Sequence, residues 1–173
     1  MTPAHIASPF AAIRDRLGPG SSAVYDEGTN VTAAAALAAA ADVAIVFVAT
    51  LTGEPNDRTT LGLTDNGDAL VAAVAAANPH TVVVAATPGS LLMPWRDQVA
   101  SILVTFMPGE QNGNAIADVL FGDVNPSGKL PLTFDSSENQ TAMTPRQYPG
   151  VGQQCVYSEA LLVGCKSDRP LVR

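Results

Sequence analysis

The chain has 173 residues, 47% of them apolar and 14% charged, which suits one globular domain with a sizeable core and excludes a disordered chain. Its formal net charge is -7 and its lysines and arginines are scattered singly, so the basic stripe of a nucleic-acid partner is missing. No apolar run reaches the roughly 20 residues of a membrane span, and the opening MTPAHIASPF lacks the charged start and long apolar core of a signal peptide, which leaves the compartment open.

In chain order, residues 9–17 read as a short helix stopped by Gly18-Pro19-Gly20, and Ala23-Val24-Tyr25 as a brief strand. Asn30 or Thr32 can cap a helix over the alanine run 33–41. Residues 43–48 form an unbroken apolar run of strand length, as expected for a strand covered on both faces in a parallel sheet. A polar loop follows, broken by Gly53 and Pro55 and carrying Glu54, Asp57 and Arg58. Thr64-Asp65-Asn66 caps a helix over 68–77, with Leu70, Val71 and Val74 at helical spacing and Asn78-Pro79 as its stop. Residues 81–86 predict a second buried strand leaving through 87–90, and residues 99–106 a third leaving through 107–111. A helix over 112–121 and a turn-rich link over 122–128 precede a last edge strand at 129–134, where Pro131 could not serve a central ladder. Beyond Asp135 the text turns polar and irregular, with residues 156–163 as a further strand candidate.

Alternating strands and helices predict a three-layer α/β/α sandwich with a mostly parallel sheet. The expected organisation is a single domain over 1–173, with a core at about 9–134 and an irregular extension over 135–173. Phosphate loops, a nucleophile elbow and Cys/His clusters are absent, so no cofactor and no metal site is expected. His5 and His80 lie far apart on apparent surface turns. Cys155 and Cys165 are too few for a framework, and a single pair or two free thiols both fit. Asn30-Val31-Thr32 and Asn139-Gln140-Thr141 fit the N-glycosylation pattern. The most informative stretch is the loop after the first apolar strand, because ligands of open α/β sheets gather at the carboxyl ends of the strands. Glu54 there can act as general acid or base, with Asp57 and Arg58 shaping its surroundings. A solvated loop with a local Asp–Arg pair fits the same residues.

Several phrases share their wording and spacing with a known family: ADVAIVFVATLTGEPNDRTTLGL, NPHTVVVAATPGSLLMPW, FMPGEQNGNAIADVLFGDVNPSGKLPLTF and YPGVGQQCVYSEALLVG. With these the chain resembles the C-terminal α/β sandwich domain of glycoside hydrolase family 3, which includes β-glucosidases, β-xylosidases and exo-glucanases. The resemblance implies a flavodoxin-like topology, here without the family's first strand, which has no counterpart before residue 9. It also implies retaining hydrolysis of β-glycosides, with an aspartate nucleophile on an N-terminal TIM barrel. The acid/base is then a glutamate on the sandwich, in a Ser-Gly-Glu-Gly-type loop before an Asp-Arg pair. Glu54 in TGEPNDR holds the matching place, and Asp57 and Arg58 match the pair that binds substrate. A retaining enzyme needs its two carboxyls about 5 Å apart with one protonated at rest. A loop at a domain boundary can carry Glu54 to the barrel's active-site face and partly desolvate it.

The departures shape the expectation. Pro55 stands where family loops usually carry Gly, and a barrel of about 250 residues does not fit beside this domain. After Gly164 the tail departs from the family's Val-Gly-Tyr-Arg-Trp-Tyr ending, and the fibronectin-like domain that often follows is not expected. One expectation is therefore the acid/base-bearing half of a β-glucosidase-like enzyme, inactive alone, with a β-linked glucoside or oligosaccharide as substrate and a TIM-barrel domain supplied in trans. Another is a non-catalytic carbohydrate-binding or protein-interaction module, with Trp95 stacking on a sugar ring. The Pro94-Trp95 pair at a helix start suits packing in a half-buried seam as well. A third is a homo-oligomer formed through the face or sheet edge that a barrel would leave uncovered. Gly109, Gly113, Gly122 and Gly128 are expected to serve turns and close helix–sheet contact.

Overall fold

Three apolar runs build the sheet. In the computed structural model, which describes residues 5–53, 58–140, 143–158 and 160, they form β1 (Ala44–Ala49), β2 (Thr81–Ala86) and β3 (Ser101–Val104). The strands are parallel, in the order β1-β2-β3. Val46 stands beside Val83, and Val83 beside Ile102. Alternation along each strand sends Ala44, Val46, Val48, Val83, Ala85 and Ile102 to one face. There they form the core with Val71, Val74, Leu91 and Trp95.

That face is covered by α2 (Val31–Ala39) and α3 (Gly67–Ala77). The Asn30 side chain accepts from the Ala33 N–H at 3.1 Å and so caps α2. Ala34 and Ala38, one turn apart, let α2 approach the core closely. Asn78 ends α3 and ties the helix pair together, its Nδ2 donating to Ala38 O at 2.9 Å and Ala41 O at 2.8 Å. On the other face, α4 (Asn112–Leu120) lies along β3, sharing a groove of about 590 Å³ with Leu103 and Thr105. α1 (Pro9–Arg14) docks on α4, and the Arg16 guanidinium pairs with Asp118 and Asp123. This second layer leaves β1 partly bare: Phe47 is 42% exposed.

Gly113 is where α1 and α4 meet. A Cβ built there would lie 2.4 Å from Ala7 O and 2.8 Å from Pro9 N, both backbone atoms with nowhere to yield. Gly113→Ala is expected to cost about 1–3 kcal/mol, the range for forced overpacking. The urea midpoint checks it, against Gly109→Ala, where the added methyl meets nothing within 4 Å.

The structure corrects the sequence reading at several points. Residues 129–134 form no strand; Pro131 has no N–H to give a ladder, and Phe134 packs against the core instead. Ala23-Val24-Tyr25 is likewise not a strand, and the Tyr25 ring meets Phe10 at 5.5 Å between centroids. α1 stops at Arg14 because the next turn tightens into Arg16 N–H to Ile13 O and Leu17 N–H to Arg14 O bonds. β3 is shorter than expected because Phe106 turns to φ 52° just beyond it. The three parallel strands run in sequential order, consistent with the expected α/β sandwich without a first strand. Gly113 serves helix–helix rather than helix–sheet contact.

Candidate functional site

The loops leaving β1 and β2 meet at the carboxyl rim of the sheet. Thr50 and Thr87, both buried, stand with their hydroxyls 3.5 Å apart where the two strands end. From there Leu51, Thr52 and Gly53 lead outward, and Arg58, Thr59, Thr60, Gly62 and Thr64 lead back. The two limbs line one cavity of about 380 Å³. Glu54 and Asp57 lie outside the described residues, and so does any Asp57–Arg58 pair. The cavity lining combines threonine side chains, backbone, the Arg58 guanidinium and the apolar Leu51 side chain.

Several hydrogen bonds hold the return limb. An Arg58 guanidinium N–H donates to Ser90 O at 3.0 Å, joining the β1 loop to the β2 loop. The Thr64 hydroxyl donates to Ala49 O at 3.1 Å, at the end of β1. The Leu92 N–H donates to Leu61 O at 2.9 Å. Another hold comes from far along the chain: Glu138 Oε1 accepts the Leu61 N–H at 2.9 Å and the Thr60 hydroxyl at 3.0 Å.

The Leu61 N–H first, then the Thr60 hydroxyl, hold the Glu138 carboxyl below its ordinary value of 4.5, against a smaller opposing effect of desolvation. A depressed carboxyl contributes above its ordinary value, and the contribution fades as pH falls through the lowered one. The Leu61 amide shift should therefore stay constant above about pH 4.5 and move on acidification below it. An NMR pH titration checks this, with Glu138→Gln removing the transition.

Trp95 is a core residue, which corrects its assignment as a sugar-stacking side chain. It is 1% exposed, and its Nε1–H donates to Asp68 Oδ1 at 2.8 Å, leaving neither ring face open to a ligand. Asp68 also accepts the Leu63 N–H through Oδ2 at 3.2 Å, so one carboxylate joins α3, the return limb and the indole. Asp68 and Glu138 were not singled out by sequence. Asp68 carries the first-turn position of a capped helix, a signal that suggests a structural carboxylate. The contacts of Glu138 are 77 and 78 positions distant, and no local pattern announces them.

Among the described residues no three His, Cys, Asp or Glu side chains gather as a metal site, and no helix is long and apolar enough to cross a membrane. Cys155 is an exposed free thiol, and its notional partner Cys165 lies outside the described residues.

Comparison with known proteins gives this rim a context. The chain is 38% identical over 180 residues to a beta-glucosidase from Schizophyllum commune, covering 92% of this chain and 90% of that protein. It is 39% identical over 146 residues to the probable beta-glucosidase L of Aspergillus terreus, covering 78% of this chain but only 20% of the relative. The crystal structure of a Bifidobacterium adolescentis GH3 beta-glucosidase superposes with a TM-score of 0.79 at 30% identity, over 95% of this chain and 26% of that one. The chain thus spans about a fifth to a quarter of the length of these two longer relatives. The family model that matches residues 1–165 is the glycosyl hydrolase family 3 C-terminal domain, and the chain belongs to that family.

Proposed function

We propose that the chain is the acid/base-bearing domain of a retaining β-glucosidase, with Glu54 as proton donor and acceptor and a β-linked glucoside or oligosaccharide as substrate. The observation that carries this is the paired limbs of the Glu54 loop, which line one cavity at the carboxyl rim of a parallel sheet. In that role Glu54 gives a proton to the leaving oxygen, then takes one from the water that releases the glycosyl intermediate. Asp57 and Arg58 orient the sugar or the glutamate. The intermediate itself forms on a second carboxylate about 5 Å from the first. That nucleophile is assigned to a TIM-barrel domain, linked or supplied in trans, and the domain alone is then inactive.

The test is hydrolysis of 4-nitrophenyl β-glucoside by the purified chain, alone and mixed with a family 3 barrel produced separately. The expected result is no turnover alone and turnover in the mixture. Turnover by the chain alone that persists in Glu54→Gln would contradict both halves of the proposal.

A further inference from the structure

The sequence spells Asn-X-Ser/Thr at three places, and they differ in what they can carry. Asn125-Pro126-Ser127 is excluded as an N-glycan acceptor by the proline at its middle position. Asn139-Gln140-Thr141 ends on a threonine outside the described residues. Asn30-Val31-Thr32 is described throughout and opens α2. Asn30 and Thr32 are both exposed, and the segment 21–29 that leads to them is mostly exposed as well.

The two polar atoms of the Asn30 amide are used differently. Oδ1 accepts the Ala33 N–H at 3.1 Å, which satisfies one of the donors left open at a helix start. Nδ2 makes no hydrogen bond to any described residue and stands on the exposed side of the cap. Asn78 shows the opposite use of the same side chain. Its Nδ2 donates to Ala38 O and Ala41 O and the residue is only 4% exposed, so a group joined there would break both bonds and find no room. A substituted amide keeps its carbonyl oxygen. A sugar on Asn30 Nδ2 therefore leaves the helix cap in place and displaces no contact of the described fold.

We propose that Asn30 is an N-glycan acceptor, with Nδ2 carrying the sugar while Oδ1 goes on capping α2. The donor is an oligosaccharide joined to a lipid pyrophosphate. In the transfer, Nδ2 forms a bond to the anomeric carbon, and the bond from that carbon to the pyrophosphate oxygen breaks. The lipid pyrophosphate leaves with the bonding electron pair, Nδ2 gives up one proton, and nothing is oxidised or reduced. Thr32 supplies the hydroxyl that the acceptor pattern requires two positions on. A glycan there is bulky and solubilising and belongs on an exposed surface. The proposal stands apart from the reading of Glu54 and needs no turnover to be tested.

The full chain is produced in a eukaryotic secretory host behind a cleavable leader, and the peptide containing Asn30 is read by mass spectrometry in secreted and cell-retained protein alike. Wild type is expected to carry a glycan on this peptide, with aspartate at position 30 after enzymatic release. Thr32→Ala keeps the cap and should lose the glycan, as should Asn30→Asp, which keeps a capping oxygen. Reading individual peptides separates Asn30 from Asn139. Glycosylated wild type and Thr32→Ala should both melt above Asn30→Ala, by about 2–4 °C, the scale of one lost cap in a domain of this size. An unmodified Asn30 in wild type would overturn the proposal, and a glycan that persists in Thr32→Ala would overturn the acceptor pattern. A glycosylated chain that melts as low as Asn30→Ala would show that sugar and cap cannot share the amide.

Discussion

If Glu54 is the proton donor proposed above, Glu54→Gln is expected to lower turnover of the barrel-complemented enzyme by about 10²–10⁴-fold on a substrate with a poor leaving group, the usual contribution of a positioned proton donor. Glutamine keeps the size and hydrogen-bonding reach of the side chain and removes only the transferable proton, so the loss reports on chemistry rather than folding. The effect should depend on the leaving group. An alkyl glucoside needs protonation as its bond breaks and should show the full loss, whereas a dinitrophenyl glucoside leaves readily as an anion and should show much less in the glycosylation step. Steady-state kcat/KM for the two substrates, in wild type and variant, gives the comparison. An equal loss on both would point to a displaced loop instead of a missing acid, and an unchanged rate on the alkyl glucoside would remove Glu54 from the mechanism.

The largest expected effect on stability is at Trp95. Trp95→Ala should destabilise the domain by about 3–5 kcal/mol, the range for truncating a buried aromatic side chain. The ring is fully enclosed in the core, and its loss also strips Asp68 of the indole donor. Trp95→Phe separates the two contributions, since phenylalanine refills most of the volume and leaves the carboxylate oxygen short of a partner, at about 1–3 kcal/mol. For a domain of this size each kcal/mol lowers the melting temperature by roughly 2–4 °C. Far-UV circular dichroism is the appropriate probe, because the chain contains a single tryptophan and both variants remove it. A Trp95→Ala variant as stable as wild type, yet weakened in sugar binding, would return the residue to the ligand.

Much of the fold can be read from local pattern. The run at 43–48 and the run at 81–86 contain nearly uninterrupted Val, Ile, Phe and Ala, the pattern of strands covered on both faces of a parallel sheet. Both appear as strands within a residue of their expected limits. Asn30, Asn66 and Asn78 mark helix ends because a short amide can serve the backbone or adopt a left-handed turn, as Asn66 does at φ 59°. Residues 129–134 misled for a related reason. Alternating apolar and polar residues describe a half-buried strand and a half-buried irregular segment equally well, and only a neighbouring ladder distinguishes them.

The sequence by itself determined the parallel α/β plan, the family resemblance and the loop that carries Glu54, because strand runs, helix caps and Gly/Pro punctuation are local. The tertiary structure alone decided that Trp95 is core and not a ligand platform, since burial depends on what α3 and the β2 loop bring around the ring. It alone placed Arg58 on the Ser90 carbonyl and Glu138 on Thr60 and Leu61. Those partners are separated by 32 to 78 positions, and no short-range pattern encodes a hydrogen bond whose two ends meet only after the sheet has formed.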